Sequence, residues 1–324
     1  MFPSVRQPPF LVPFYHVISD EPVTHTEHLY RHKTVGQFRH DLDHLLSGYR
    51  PISLAEVLEC RKAERTLPER SFLLTFDDGY REMSEIVAPI LLEKGVSATF
   101  FLNSAFVDNK NLCHVNKASL LVSRLRSLGR PHLERRLLEL IPGQKLRPED
   151  LDGAILSVPY EQRALLDAMA EVLGVDFPGY LRERRPYLTS AQVAGLVSRG
   201  FTVGGHSIDH PFYASLSLEE QLRQTIESVR FVRERFGLTY GVFAFPFEDV
   251  GVSRPFFDEL FRKGQIDLTF GAAGLIDEDI PNHLQRVCME AYGATAKHIL
   301  AYHHARRTMT MLSGRSRIKR TASG

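Results

Sequence analysis

Short apolar runs alternate along the chain with segments whose apolar residues recur every three or four positions. The runs are rich in β-branched and aromatic residues and predict buried strands. They cover 10–18, 71–76, 97–102, 201–203, 241–247, 266–270 and 284–289. The periodic segments predict amphipathic helices, among them 35–46, 84–93, 190–199, 218–235 and 295–306. This alternation of strand and helix is typical of a parallel sheet or barrel.

The alternation stops between about residues 108 and 185. Helical patterns follow one another there, at 117–128, 133–141 and 161–173, and residues 129–131 and 141–143, which contain Gly and Pro, separate them. We therefore expect a single domain over 1–310 with a helical insertion at about 108–185. The insertion could be a lid or buttress, shape a substrate cleft, or contact another subunit. Basic residues among Ser, Thr and Gly predict a disordered tail over 311–324.

One of the apolar runs ends in two adjacent carboxylates, Asp77 and Asp78, followed by Gly79. Two ionised carboxylates are unfavourable inside an apolar core, so both should lie where the strand leaves the core. The chain turns at that point, and glycine permits a turn and a close approach of the backbone. One carboxylate could then bind a metal while the other accepts a proton. A solvated Asp-Asp-Gly turn is the alternative.

Two histidines follow a second strand, at His206 and His210. A spacing of four lets two imidazoles share a metal when the segment forms a helical turn. Two histidines and one carboxylate are a common catalytic zinc set that leaves a coordination position open for water. A histidine pair alone would more often be structural, but together with the acidic stretch it favours a metal site.

These two stretches resemble signature motifs of the polysaccharide deacetylase family, which has a NodB-homology domain like that of carbohydrate esterase family 4. The stretches are Thr75-Phe76-Asp77-Asp78-Gly79 and His206-Ser207-Ile208-Asp209-His210-Pro211. Residues 13–106 and 187–290 follow the family's order of elements. The resemblance implies an α/β fold, a distorted parallel β/α barrel of the NodB type, with its metal at the carboxyl ends of the strands. It also implies a hydrolase that removes an acetyl group from an N-acetylated sugar, polysaccharide or glycoconjugate.

The resemblance carries roles to individual residues. It implies that Asp78, His206 and His210 bind a divalent metal and that Asp77 is the general base. The metal would polarise the acyl oxygen and acidify a water, and Asp77 would accept the proton as that water attacks. Zn²⁺ is the first choice, although Co²⁺, Ni²⁺ or Fe²⁺ would tolerate the same ligands. Asp209 could support the histidines or be exposed.

The third family motif is matched only in part, by residues 244–247. The match implies that the backbone N–H of Phe247 stabilises the oxyanion. The arginine usual in this motif is absent, because Ala244 stands in its position. Arg286 could replace it by orienting Asp77, or it could form a salt bridge elsewhere.

The general acid is also unusual. No Leu-x-His pattern occurs near the end of the core, where the family has its acid. One branch of the family opens with a Tyr-His strand and uses that histidine, which makes His16, after Tyr15, the candidate. In a closed barrel the first and last strands are neighbours, so His16 could fill the same space. A core histidine bonded to backbone is the alternative, and His283 is the next candidate.

Composition narrows the function further. The 324 residues carry a net charge of +1, which gives no field to recruit nucleic acid or a membrane surface. No apolar run approaches the length of a membrane span. Three scattered cysteines and the absence of a signal-peptide pattern predict a cytoplasmic protein. The sequence has no signal for a particular oligomeric state.

Two other functions stay open at this stage. The first is an amidase or deformylase with the same mechanism, acting on a non-sugar amide or a formylated amino sugar. The second is a catalytically silent carbohydrate-binding protein. An intact set of Asp77, Asp78, His206 and His210 favours an enzyme over a binding protein. A cytoplasmic location would favour a nucleotide- or lipid-linked precursor as substrate over an extracellular polymer.

Overall fold

The computed structural model describes residues 10–129, 131–141, 147–313 and 317–321. The strands in these residues are β1 Pro13–Tyr15, β2 Arg50–Pro51, β3 Ser71–Phe72, β4 Leu74–Phe76, β5 Ala98–Leu102, β6 Thr202–Gly205, β7 Val242–Ala244, β8 Leu268–Gly271, β9 Asp277–Glu278, β10 His283–Gln285, β11 Val287–Cys288 and β12 Arg317–Ile318. The helices are α1 Val35–Gly48, α2 Leu54–Lys62, α3 Ala88–Lys94, α4 His114–Leu128, α5 Pro131–Leu140, α6 Leu151–Leu156, α7 Ala164–Leu173, α8 Phe177–Arg184, α9 Ser190–Ser198, α10 Leu218–Phe236, α11 Arg254–Arg262 and α12 Ala296–Leu312.

Eight of the strands form one sheet in the order β10-β8-β7-β6-β5-β4-β1-β11. Every neighbouring pair in it is parallel. The two edge strands, β10 and β11, come from a single chain segment that is interrupted at Arg286. The first half of this segment pairs with β8, and the second half pairs with β1, with Pro13 opposite Val287. The sheet therefore curves into a nearly closed barrel, which confirms the predicted fold class.

Local signals determine where the helices begin. Complete capping boxes open α1, α2 and α9, at Thr34, Ser53 and Thr189. At Ser217, which precedes α10, only half of a capping box forms. The Ser217 hydroxyl accepts the backbone N–H of Glu220 at 3.3 Å, but the Glu220 carboxylate pairs with Arg223 at 2.7 Å instead of turning back.

The helical insertion has its own apolar core. Its helices α4 to α8 pack around a cluster that includes the fully buried Leu121, Leu137 and Leu166. Tyr80 joins this cluster to the barrel, because it follows the end of β4 and stacks on Tyr187 at 5.6 Å. The insertion therefore covers the end of the barrel at which β4 terminates.

The end of the chain differs from the expected disordered tail over 311–324. Helix α12 continues to Leu312, and β12 pairs in parallel with β9, with Arg317 opposite Asp277. The Arg320 side chain is buried against two carboxylates. These ion pairs compensate the cost of ordering residues 317–321. The rest of that stretch, 314–316 and 322–324, lies outside the described residues.

The fold is built without disulfide bonds. Cys60, Cys113 and Cys288 are all free thiols. None of the helices in the described ranges combines the length and the apolar character needed to cross a bilayer.

Candidate active site

The candidate site residues lie at the carboxyl ends of the barrel strands. Asp77 and Asp78 follow β4, His206 follows β6, His16 follows β1, and Arg286 separates β10 from β11. Parallel strands present their carboxyl ends at one end of a barrel, where barrel enzymes build their active sites. Side chains that are more than 200 residues apart in sequence thereby meet, as Asp77 and Arg286 do with a separation of 209.

The turn after β4 brings both carboxylates into one pocket. Asp78 has φ 68° and Gly79 has φ 65°, so two successive residues adopt the left-handed region. A Cβ atom at Gly79 would lie 2.9 Å from Cδ2 of Leu102, so a larger residue would force the Leu102 side chain to shift. A non-glycine residue held in this region costs about 1–3 kcal/mol, and such strain occurs typically at functional sites.

The atoms predicted to bind metal face one another at short range. Oδ1 of Asp78 lies 3.4 Å from Nε2 of His206 and 3.2 Å from Nε2 of His210. The Nδ1–H of His206 donates to the carbonyl of Ala244 at 2.8 Å, so Nε2 is the ring nitrogen that faces the carboxylate. Oδ1 of Asp78 is buried and has no hydrogen-bond partner among the described residues.

This trio fits a divalent cation. A buried carboxylate oxygen that has no hydrogen-bond partner in the described residues and lies between two imidazole nitrogens offers a site for a positive charge. Zinc bonds of about 2.0–2.1 Å in a tetrahedral arrangement separate neighbouring ligand atoms by about 3.3 Å. The two separations observed here, 3.2 and 3.4 Å, lie on either side of that value. Asp78, His206 and His210 are thus a suitable ligand set.

The two histidines meet through a loop and not through the expected helical turn. Ser207 and His210 both have left-handed backbone angles, with φ 70° and 65°. The Ser207 hydroxyl accepts the backbone N–H of His210 at 2.9 Å. Asn103, which follows β5, donates to the carbonyl of His206 and to the Ser207 hydroxyl. These side-chain bonds satisfy the backbone groups that a helical turn would have used.

Asp77 forms a two-pronged ion pair with Arg286. Both oxygens of the carboxylate accept guanidinium N–H groups at 2.7 Å, and both side chains are almost fully buried. The guanidinium also donates to the carbonyl of Gly271 at 3.0 Å and lies 4.4 Å from the ring of Phe14. Burial alone would raise the pKa of Asp77, but Arg286, followed by His206, lowers it overall. Of the two alternatives for Arg286, the structure has the pair with Asp77.

His16 is paired with Glu290, a residue that the sequence analysis missed. Nδ1 of His16 lies 2.5 Å from Oε2 of Glu290, which also accepts the backbone N–H of His16 at 3.1 Å. Burial would lower the pKa of His16, yet Glu290 outweighs it and raises this pKa to about 9. The ring partner of His16 is a carboxylate and not backbone, and the ring of Tyr30 packs 4.8 Å from it. Glu290 follows the apolar residues 287–289, the same pattern of an acid after a strand that marked Asp77.

Of the two remaining predicted residues, Phe247 lies beside this site and His283 does not. The ring of Phe247 is 4.6 Å from that of His210 and is 47% exposed. Its φ is 56°, and within the described residues its N–H donates to no backbone carbonyl. His283 lies elsewhere: it is fully buried and bonds to Asp249 at 2.9 Å and to Thr269 at 2.8 Å.

The helical insertion contacts the loop 206–210 through Asp209. This side chain accepts the Tyr160 hydroxyl at 2.6 Å and an amide N–H of Gln224 at 2.8 Å. Asp209 therefore connects the insertion to the loop instead of supporting the histidines. A cavity of 580 Å³ lies beside it, between the insertion and the loop, and its lining includes His114 and Arg163.

Comparisons with known proteins agree with this geometry. The sequence model of the family described as polysaccharide deacetylase matches residues 64–254. A stretch of 45 residues is 44% identical to the poly-beta-1,6-N-acetyl-D-glucosamine N-deacetylase of Escherichia coli K12. That stretch is 14% of this chain and spans only 7% of the length of the Escherichia coli protein.

Solved structures extend the similarity to nearly the whole chain. The Streptococcus pyogenes deacetylase PplD, in complex with acetate, has a TM-score of 0.55 at 13% identity, covering 92% of this chain and 98% of that one. IcaB from Ammonifex degensii has a TM-score of 0.55 at 16% identity, covering 92% and 96%. A de-N-acetylase from Aggregatibacter actinomycetemcomitans has a TM-score of 0.55 at 16% identity, covering 90% and 99%. At these identities the similarity is one of fold.

Proposed function

The chain belongs to the polysaccharide deacetylase family, and we propose that it is a metal-dependent hydrolase that removes the acetyl group from an N-acetylated sugar in an oligosaccharide, polysaccharide or glycoconjugate. The observation that carries this proposal is the convergence of Asp78, His206 and His210 beside the buried pair of Asp77 and Arg286. Poly-β-1,6-N-acetylglucosamine, on which the Escherichia coli relative is named as acting, is the first substrate to test.

Asp78, His206 and His210 would hold the metal, with Zn²⁺ as the first choice and Co²⁺, Ni²⁺ or Fe²⁺ as substitutes. When bound, the ion supplies Lewis-acid chemistry, polarising the acetyl carbonyl and acidifying water. The hydrogen bond from His206 to Ala244 orients this ligand, as the second partner of a metal-binding histidine generally does.

Asp77 is proposed as the general base. It would accept a proton as water adds to the carbonyl carbon. Arg286 holds both carboxylate oxygens, so it would keep Asp77 ionised and fix the direction in which its lone pairs point. Arg286 would thereby take the part of the arginine that Ala244 replaces.

His16 is proposed as the general acid. The Glu290 carboxylate raises the pKa of His16 to about 9, so the His16 imidazole is protonated at neutral pH. The C–N bond breaks once the amide nitrogen receives this proton, which leaves acetate and a free amine. The backbone N–H of Phe247 would donate to the oxygen that becomes negative in the intermediate.

The cavity beside Asp209 supports a substrate larger than a single amide. Its volume of 580 Å³ falls in the range of about 300–1,000 Å³ found for ligand pockets. A polar lining such as His114 and Arg163 suits the hydroxyl groups of a neighbouring sugar residue. An amidase or deformylase on a small amide would have less use for this space, and a silent binding protein would not need the pair of His16 and Glu290.

Acetate release from a substrate panel tests the proposal. The purified protein is loaded in turn with Zn²⁺, Co²⁺, Ni²⁺ and Fe²⁺ and given N-acetylglucosamine, its β-1,4 and β-1,6 oligomers, and N-formylated analogues. We expect acetate release to rise with oligomer length and to vanish in Asp77→Asn. Formate release alone would favour the deformylase, and the absence of any product with every metal would favour the binding protein.

A further inference from the structure

A second cluster of buried charges lies at the end of the chain, apart from the proposed active site. Asp249, Glu278 and His283 come together there, with the Nε2 of His283 2.9 Å from Asp249. The Arg320 guanidinium enters this cluster, bonds to Asp249 and reaches Oε2 of Glu278 at 2.6 Å. Because the guanidinium supplies the positive charge that the two carboxylates need, the cluster is an ion-pair network and has no need of a metal.

The segment that carries Arg320 is attached to the body at several points. Strand β12 pairs with β9, and the backbone N–H of Arg254 donates to the carbonyl of Thr321 at 2.9 Å. Arg320 also donates to the carbonyl of Asp249 and, at 3.5 Å, to that of Val252. One side chain from the C-terminal segment thus holds both ends of the turn at 249–252.

This turn ends the loop that carries Phe247. Before Phe247 in the chain, the loop is fixed by the backbone N–H of Phe245, which donates to the carbonyl of Phe270 at 2.9 Å. On the far side it is fixed by Asp249, which accepts the backbone N–H of Ala272 at 3.0 Å and binds Arg320. Phe247, between these two anchors, is exposed and has a left-handed backbone.

We propose that residues 317–321 are a latch that holds the loop 245–252 in place, and that Arg320 is a positioning residue for the backbone N–H of Phe247. The consequence for catalysis rests on the proposed function, whereas the mechanical role does not. Without Arg320, the buried carboxylates of Asp249 and Glu278 would lose their guanidinium partner and keep the contacts with His283 and Gln285. The cheapest relief is for the turn at 249–252 to move towards water, which would move the donor N–H away from the oxyanion.

Arg320→Ala tests the latch, with Lys319→Ala as a matched control. Lys319 is the exposed neighbour of Arg320 on the same segment, so both substitutions remove one positive charge. Deuterium exchange of a peptide covering 245–252 should become faster in Arg320→Ala and stay unchanged in Lys319→Ala. The kcat for deacetylation should fall by about 10- to 100-fold, less than the roughly 100- to 1,000-fold of a deleted oxyanion donor. KM and metal content should stay close to those of the wild type.

Arg320→Lys serves if Arg320→Ala does not fold. It keeps the charge but lacks the planar fork that reaches two carboxylates and two carbonyls at once, so its exchange and kcat should be intermediate. Unchanged exchange in the loop, or a kcat equal to that of Lys319→Ala, would overturn the proposal. A wild-type protein inactive on every N-acetylated substrate would overturn the proposed function, while the exchange experiment would still decide whether the segment holds the loop.

Discussion

Asp77 and Asp78 are neighbours in sequence with different surroundings. Both carboxylate oxygens of Asp77 accept hydrogen bonds from Arg286. Oδ1 of Asp78, in contrast, has no hydrogen-bond partner in the described part of the chain and faces two imidazoles. The first arrangement orients a base, and the second leaves an oxygen free for a cation. The division of roles that we propose for them, which came from the family resemblance, agrees with the different partners of the two carboxylates.

We predict that the two aspartates separate in a metal assay. Asp77→Asn should abolish turnover and retain the metal, because the ligand atoms are on other residues. Asp78→Asn should lose metal as well as turnover, because an amide oxygen carries no charge. Elemental analysis of both purified variants measures this, and equal metal loss would mean that the roles are shared or reversed.

A parallel prediction concerns the histidines. His206→Ala and His210→Ala should each lower the metal content from about one ion per chain towards zero, since each removes one of three ligands. His40→Ala, at an exposed position on α1, is the control and should keep its metal. Full metal content in both ligand variants would show that the ion is bound elsewhere.

The pair of His16 and Glu290 predicts a change in the pH profile. The general acid must be protonated, so kcat falls as pH rises through the pKa of His16, which Glu290 raises to about 9. Glu290→Gln removes the charge that retains the proton, so the alkaline limb of the profile should move to lower pH, by about one unit or more. An alkaline limb that stays in place would mean that another group titrates there.

His16→Ala should keep the metal and lose activity by at least about 100-fold.

At the scale of elements, a short hydrogen bond joins the helical insertion to the loop 206–210. The Tyr160 hydroxyl donates to Asp209 at 2.6 Å, next to the cavity that we propose for a neighbouring sugar. Tyr160 lies between α6 and α7, and Asp209 lies between His206 and His210, the two histidines that we propose as metal ligands. The insertion can therefore influence substrate binding without contacting the metal.

Tyr160→Phe should accordingly alter specificity for chain length. Loss of a hydrogen bond to a charged group costs roughly 1.5–3 kcal/mol, and here it frees one wall of the cavity. We expect KM for oligosaccharides to rise by about 10-fold, with a smaller change for the monosaccharide and no change in metal content. Tyr302→Phe, at an exposed tyrosine on α12, is the control. Equal effects on substrates of all lengths would remove the cavity from substrate binding.

At the scale of the whole molecule, the segment that carries β10 and β11 closes the barrel. The candidate active site combines residues of this segment with residues of other strands. Arg286 interrupts that segment and reaches Asp77 on β4's end and Gly271 at the end of β8. The complete site, with Arg286 and Glu290 beside Asp78, His206 and His210, therefore forms only when the barrel is closed, and a ligand of the site should stabilise the fold.

Metal removal should lower the melting temperature. A ligand at 100 times its Kd stabilises the folded state by about 2.7 kcal/mol, which corresponds to several degrees for a domain of this size. Treatment with a chelator should lower Tm, and added Zn²⁺ should restore it. The Tm of His210→Ala should not respond to either treatment. Thermal unfolding of both proteins measures this, and a Tm of the wild type that ignores the chelator would argue against an occupied site.

Local sequence patterns predicted a parallel sheet or barrel and the polar residues at its strand ends, and the family resemblance specified the barrel. These features are local, since a run of apolar residues, a capping residue or an acid after a strand acts within a few positions of itself. Asp77, Asp78, His206 and His210 could be found in this way because each follows an apolar strand. The conformation of the loop between the histidines was wrongly predicted, because Asn103, from another strand, determines it.

Only the tertiary structure decided which side chains are partners. Arg286 pairs with Asp77 over 209 positions and Glu290 with His16 over 274. Arg320, expected in a disordered tail, fills a buried acidic cluster through contact with Asp249, 71 positions away. No local pattern encodes such pairs, because the first two form when the last strand segment joins the first strand and the third forms when β12 pairs with β9. Desolvation of the charges then determines which partner each one takes.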